Sequence, residues 1–166
     1  TKISFINAFA DLCDATGADV TTLADAIGYD TRIGRRFLNA GVGFGGGCLP
    51  KDIRALQARA TELGLTEQFA FLQAADAVNL SRRDQVVTRA TGLLGGSVTG
   101  KRITILGAAF KPDSDDIRDS PALSIAMLLH DAGANVTVHD PEAIPNVQTR
   151  YPSLHTEPNV TQALQG

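Results

Sequence analysis

The stretch GGSVTG, from Gly95 to Gly100, divides the chain into two parts whose apolar residues repeat with different periods. Before it, apolar residues recur three and four positions apart, the spacing that lines one face of a helix. After it, KRITILG reads as a short buried strand and SPALSIAMLLHDAG as a helix, with Ser120 at the N-cap, Pro121 in the first position and Gly133 beyond the end. NVTVHDP supplies a second strand, so strand, helix and strand make a βαβ unit with a parallel sheet and a right-handed crossover. A third strand is expected near Ser153 to His155, and TQALQG opens another helix. The expected fold is an all-α region over 1–95 followed by an α/β region over 100–166 whose exposed strand edges read as an incomplete domain.

Within the first part the chain starts inside an apparent helix, with apolar positions at Ile3, Ile6, Phe9, Ala10 and Cys13 and no capping residue before Lys2, as though truncated. Gly17 ends that helix, Asp19 or Thr21 caps a short one through Ile27, and Gly28 stops it. DTRIGRRFL reads as one more short helical piece. A helix from about Leu49 to Leu63 ends near Gly64, and a longer one runs from Thr66 to about Leu94.

With 43% hydrophobic and 20% charged residues over 166 positions, the composition is that of a folded globular protein. A net charge of −3 offers no broad basic surface for nucleic acid or an anionic membrane. No apolar run approaches the ~20 residues that span a bilayer, and TKISFINAFADLC lacks the layout of a signal peptide, which points to the cytoplasm. Cys13 and Cys48 have no metal or redox-pair spacing, and Cys13 follows Ile6 and Phe9 on an apolar helix face, the place of a core thiol. His130, His139 and His155 are scattered, and no residue is assigned to a metal.

The run GFGGGCLPKD, Gly43 to Asp52, sets Cys48 between a flexible glycine loop and a helix start. Glycines let a ligand approach the main chain, and Pro50 suits the first turn of a helix. A helix N-terminus and Lys51 both favour an anion at Cys48, and a thiolate is a nucleophile. Asp52, four residues on, lies near the same helix face, placed to orient a water. An inert buried thiol beside an ordinary turn is the competing reading, and spacing favours the functional one.

GFGGGCLPKD resembles the catalytic-cysteine segment of the nucleotide-sugar 6-dehydrogenases, usually GFGGSCLPKD, with Gly47 in place of Ser. DTRIGRRFLNAGVGFGGGCLPKD and ILGAAFKPDSDDIRDSP are similar to the UDP-glucose 6-dehydrogenase branch. Three ordered motifs make a specific signal. The resemblance implies an all-α dimerisation domain at 1–95, then the N-terminal part of a Rossmann-like UDP-binding domain at 100–166, with the NAD-binding domain outside the chain. It implies oxidation of a sugar C6 alcohol to a carboxylate by two hydride transfers to NAD, through a Cys48 thiohemiacetal and thioester.

Residue by residue, the resemblance makes Cys48 the nucleophile and Asp52 the carboxylate that assists water. Arg32, Phe37, Leu38, Asn39, Ala40, Gly41, Gly45 and Lys111 match UDP-sugar contacts, many through backbone, with Arg32 reaching the partner subunit's active site in a homodimer. Lys51 and Arg118 match cofactor contacts. By composition alone the loop Ala108 to Asp119 is a solvated charged segment, and the resemblance turns it into an anion site. Asp140 is assigned to a turn rather than to a cofactor ribose, because the GxGxxG fingerprint is missing. Lys2 and Asn7 are five positions apart, whereas the family's Lys and Asn pair is four apart and lies upstream, so both are read as structural. GDP-mannose 6-dehydrogenase is the alternative within the family. The 166 residues alone are expected not to turn over, which leaves a non-catalytic oligomerisation and nucleotide-binding module as the alternative from another class.

Overall fold

The computed structural model describes residues 1–165, and its elements run α1 (Lys2–Thr16), α2 (Val20–Gly28), α3 (Leu49–Glu62), α4 (Ala70–Leu93), β1 (Arg102–Leu106), α5 (Pro121–Asp131), β2 (Asn135–His139), α6 (Ile144–Arg150), β3 (His155–Thr156) and α7 (Val160–Ala163). The protein is rich in helix, with one small three-stranded parallel sheet. It divides into two compact units. One comprises residues 1–43 with 51–82, and the other residues 44–50 with 83 onward. The seven residues around Cys48 therefore pack with the second unit, although the first flanks them in sequence on both sides.

In the first unit, α1 buries Ile6, Ala10 and Cys13, positions that fall on one helix face. Gly17 closes the helix at φ 73°, where a side chain would be strained. Asp19 is the cap of α2, accepting from Thr22 N–H at 2.8 Å, which settles the choice between Asp19 and Thr21. Ile6, Ala24 and Leu38 form the core, with Phe9, Val20 and Ile27 against it. Residues 30–38, expected to be helical, are instead turns. Asp30 accepts from the Arg32 N–H at 2.9 Å, and Gly34 at φ 70° and Phe37 at φ 66° lie in the left-handed region, which a helix cannot contain. Residues 66–69 are likewise turns, so α4 starts at Ala70 rather than Thr66.

In the second unit, β1 pairs with β2 from Arg102↔Asn135 to Leu106↔His139, and β2 with β3 at Thr137↔His155 and Val138↔Thr156. All pairings are parallel, in the order β1-β2-β3. Ser120 caps α5 by accepting from Leu123 N–H, and Pro121 occupies its first turn, where a missing N–H costs nothing. Leu123 and Leu129 of α5, Val138 of β2 and Val147 of α6 are essentially inaccessible, and each contributes about 1.5–3 kcal/mol by leaving water. They share a core with Val98, ahead of β1, and with Ala108 and Ile117 of the loop after it, so that loop is anchored by its own apolar residues. Among the described residues no helix is long and apolar enough to cross a membrane.

Candidate functional site

Cys48 is exposed and stands immediately before α3, whereas Cys13 is buried on α1. The thiol segment opens on a cleft of about 330 Å³ within the second unit, lined by Gly45 to Leu49 and, from the loop after β1, by Phe110, Lys111, Ser114, Asp116 and Arg118. Two stretches distant in sequence are thus brought together at the thiol. The Gly46 N–H donates to the Arg118 carbonyl at 2.8 Å and fixes their register.

The glycines explain the fit. A Cβ on Gly45 would meet the Asp119 backbone and lie 2.9 Å from Pro121 Cδ, one on Gly46 would lie 2.7 Å from the Phe110 ring, and one on Gly47 would lie 2.6 Å from Arg118 Cζ. The sequence suggested that these glycines admit a ligand to the main chain; the space their missing side chains leave is taken by residues 110–121 of the chain itself.

That partner loop is held from several sides. Arg118 forks onto Asp116, with Nε at 3.0 Å from both carboxylate oxygens and Nη2 at 2.6 Å from Oδ2. These bonds, with the Arg118 N–H donating to Asp116 Oδ1 at 2.9 Å, lower the Asp116 pKa to about 2. Arg118 is held further toward its charged form by the same hydrogen bonds, then by the charge of Asp116, with a smaller contribution from Cys48. One residue on, Asp119 has φ 47° and accepts from Arg83 Nη2 at 2.9 Å, while Arg83 Nη1 donates to Ser124 Oγ at 2.7 Å. Arg83 is 8% exposed, and its Nε and Asp119 Oδ2 are buried without a hydrogen-bond partner.

A second cleft of about 500 Å³ lies at the carboxyl ends of β1 and β2, where parallel α/β sheets bind ligands, and Phe110, Lys111 and Ser114 line it too. Lys111 is exposed, with Nζ 5.5 Å from the Phe110 ring centroid. Asp140 closes the base of this cleft: Oδ2 accepts from Ala108 and Ala109 N–H at 2.7 and 3.1 Å, and Oδ1 from Glu142 and Ala143 N–H at 2.9 and 2.7 Å. Burial raises its pKa, and the four N–H bonds outweigh that, leaving the group below the ordinary carboxylate value. Both oxygens are committed to the main chain, which fits the turn role expected of Asp140.

The other carried-over residues belong to the first unit. Lys51 and Asp52 are exposed and pair with each other at 3.3 Å. Arg32 forks onto Asp30 at 2.6 to 3.1 Å with its side chain 88% exposed. Leu38 is a core residue, so only its main chain can meet a ligand, while Phe37 is exposed. Asn39 Oδ1 accepts from Arg35 Nη1 at 2.8 Å, and Ala40 is exposed beside it. The Gly41 N–H donates to Asn7 Oδ1 at 2.8 Å, and Lys2 Nζ donates to the Ile33 and Gly34 carbonyls at 2.8 Å, so both residues do structural work. Sequence reasoning missed the Asp116 and Arg83 partners. The acid, basic and acid alternation of Asp116 to Asp119 was the available signal for the first, and nothing local marked Arg83. No group of three His, Cys, Asp or Glu side chains able to hold a metal occurs among the described residues.

Two family models match the chain: UDP-glucose/GDP-mannose dehydrogenase family, central domain, over residues 1–81, and the same family's UDP binding domain over residues 104–166. UDP-glucose 6-dehydrogenase TuaD of Bacillus subtilis is 47% identical over 145 residues, covering 87% of this chain and 31% of that protein. UDP-glucose 6-dehydrogenase of Rhizobium meliloti is 44% identical over 147 residues, covering 89% and 33%. The chain spans about a third of the length of these curated relatives. Among solved structures, a UDP-glucose dehydrogenase from Pyrobaculum islandicum superposes with TM-score 0.92 at 36% identity over 98% of this chain and 37% of that one. A GDP-mannose dehydrogenase from Pseudomonas aeruginosa superposes with TM-score 0.66 at 26% identity over 98% and 38%.

Proposed function

Since the chain belongs to the UDP-glucose/GDP-mannose dehydrogenase family, we propose that it carries the thiol part of an active site that oxidises UDP-glucose at C6 to UDP-glucuronate, with NAD as the oxidant. The observation that carries this reading is the exposed Cys48 ahead of α3, in a cleft it shares with Lys111 and Arg118. In this reading the helical region is the dimerisation domain and the βαβ region a Rossmann-like UDP-binding domain. The higher structural likeness to a UDP-glucose than to a GDP-mannose enzyme favours the uridine sugar.

The chemistry follows from the thiol. Cys48 adds through Sγ to the C6 aldehyde produced by the first oxidation, giving a thiohemiacetal that keeps the aldehyde in the site. Loss of hydride from that adduct leaves a thioester, and water oriented by Asp52 cleaves it, returning the thiol and releasing the carboxylate. Lys111, exposed where the two clefts meet, supplies a cation for the diphosphate. The main chain of 37–41 in the first unit and that of Gly45 in the second are each assigned to sugar contacts. Lys51 and Arg118, each an exposed cation, would each suit contact with an anionic dinucleotide, and NAD would supply the hydride acceptor, one molecule for each of the two oxidations. Arg32 leaves Asp30 to reach the active site of a second copy.

A substrate panel on the polypeptide that carries this chain tests the reading. We expect two NADH per sugar acid with UDP-glucose, little turnover of GDP-mannose, and no acid from Cys48→Ala. One NADH per sugar, or full two-step turnover by Cys48→Ala, sinks it.

A further inference from the structure

The geometry points to Gly47 as the positioning residue for Arg118: because residue 47 has no side chain, the guanidinium lies against the main chain next to Cys48 while forked onto Asp116. The inference goes beyond the proposed function and rests on contacts within the second unit alone. Three observations carry it. A Cβ at Gly47 would stand 2.6 Å from both Cζ and Nη1 of Arg118 and 3.0 Å from Nη2, so the whole fork lies over this one residue. Arg118 and Cys48 line the same cleft. The Arg118 backbone is fixed independently, through its carbonyl to Gly46 N–H at 2.8 Å and its N–H to Asp116 at 2.9 Å.

Those fixed points decide what yields when a side chain is added. At Gly45 the obstacle is backbone, which cannot move cheaply. At Gly47 it is the far end of a flexible arginine, 69% exposed, and Gly47 has no left-handed φ that would strain another residue. Gly47→Ser, which restores the residue usual in the resembled motif, therefore leaves the fold intact and displaces the guanidinium from the thiol. The change read by experiment is where one positive charge sits relative to the thiol.

Charge-selective labelling of Cys48 reads this directly. The thiolate attacks the CH2 carbon of iodoacetate and iodoacetamide alike, expelling iodide, so the ratio of their rate constants is insensitive to how much thiolate is present. The ratio reports the local field, because only iodoacetate is an anion. Rates are measured at low ionic strength on the full chain, by mass spectrometry of the Cys48 peptide. Removing one positive charge from the cleft that Cys48 also lines lowers the iodoacetate to iodoacetamide ratio about threefold to tenfold in Arg118→Gln. Gly47→Ser and Gly47→Ala lower it toward the same value, with unchanged far-UV circular dichroism. A ratio unchanged in the Gly47 variants while Arg118→Gln lowers it shows that residue 47 does not position the arginine. A ratio unchanged in Arg118→Gln shows that the cation does not face the thiol. Either result overturns the inference, and neither bears on whether Cys48 is the nucleophile of a dehydrogenase.

Discussion

Replacing Asp140 by Asn changes one atom type and tests how the strand ends that bear both clefts are held. The carboxylate accepts from four main-chain N–H groups on two segments: Ala108 and Ala109 after β1, Glu142 and Ala143 after β2. An asparagine keeps one oxygen and presents NH2 where the other was, so one pair of N–H groups faces a donor. Asp140 is only 6% exposed, so water cannot take over the lost bonds. Two lost bonds to a charged acceptor, one of them to a buried N–H, amount to about 2–4 kcal/mol. With a urea slope of about 1–3 kcal/mol per molar, the unfolding midpoint falls by roughly 1–2 M. The pH dependence has a definite sign. The native carboxyl titrates below the ordinary 3.8, so its contribution is complete above the unfolded value and is lost as pH falls through the lowered native one. The gap between wild type and Asp140→Asn is therefore constant from about pH 5 to 8 and closes in acid. Urea titrations followed by circular dichroism at a series of pH values measure it. A midpoint at pH 7 shifted by less than about 0.3 M, or a gap that widens in acid, refutes the account.

Gly45→Ala sets a methyl against the Asp119 backbone and costs about 1–3 kcal/mol by overpacking, whereas Gly92→Ala, at an exposed helical position with nothing within 4 Å, raises stability by up to about 1 kcal/mol. Urea midpoints that move in the same direction for both variants remove the packing argument. For the Asp116 and Arg118 pair, carboxyl NMR titration is expected to place Asp116 near 2, and Arg118→Gln to return it toward 3.8. The pair is thus intact at every pH above the ordinary carboxylate value and lost only as pH falls through about 2, and an unmoved midpoint in the variant rules out Arg118 as its cause.

What the sequence disclosed was what local chemistry controls. Asp19 and Ser120 cap their helices because a short acceptor side chain is the nearest partner for the first free N–H groups, and Gly17 and Gly133 end helices because a left-handed φ is cheap only there. Parallel pairing of KRITIL with NVTVH followed from the intervening helix. The turns at 30–38 are not legible because RIGRRFL has helical spacing, while the deciding interaction is the Asp30 side chain bonding two residues ahead. Helix α6 escaped notice because it is seven residues long and its proline sits at the start, where it looks like a turn. In the site, Cys48 was legible from its motif. Its surroundings were not, since Phe110, Asp116, Arg118 and Asp119 meet the glycines only through long-range packing that no sequence period encodes.

The interlock of the glycines with residues 110–121 also sets an order of events during synthesis. Cys48 emerges from the ribosome roughly 70 residues before Asp119, and at about 5–20 residues per second that is an interval of roughly 4–14 s. Throughout it, Gly45, Gly46 and Gly47 have nothing to close against, and the thiol rides on an unsupported segment of nascent chain. Cys48 is made early and seated late, so its exposure to oxidants in a growing chain is governed by the rate of translation rather than by the stability of the finished fold.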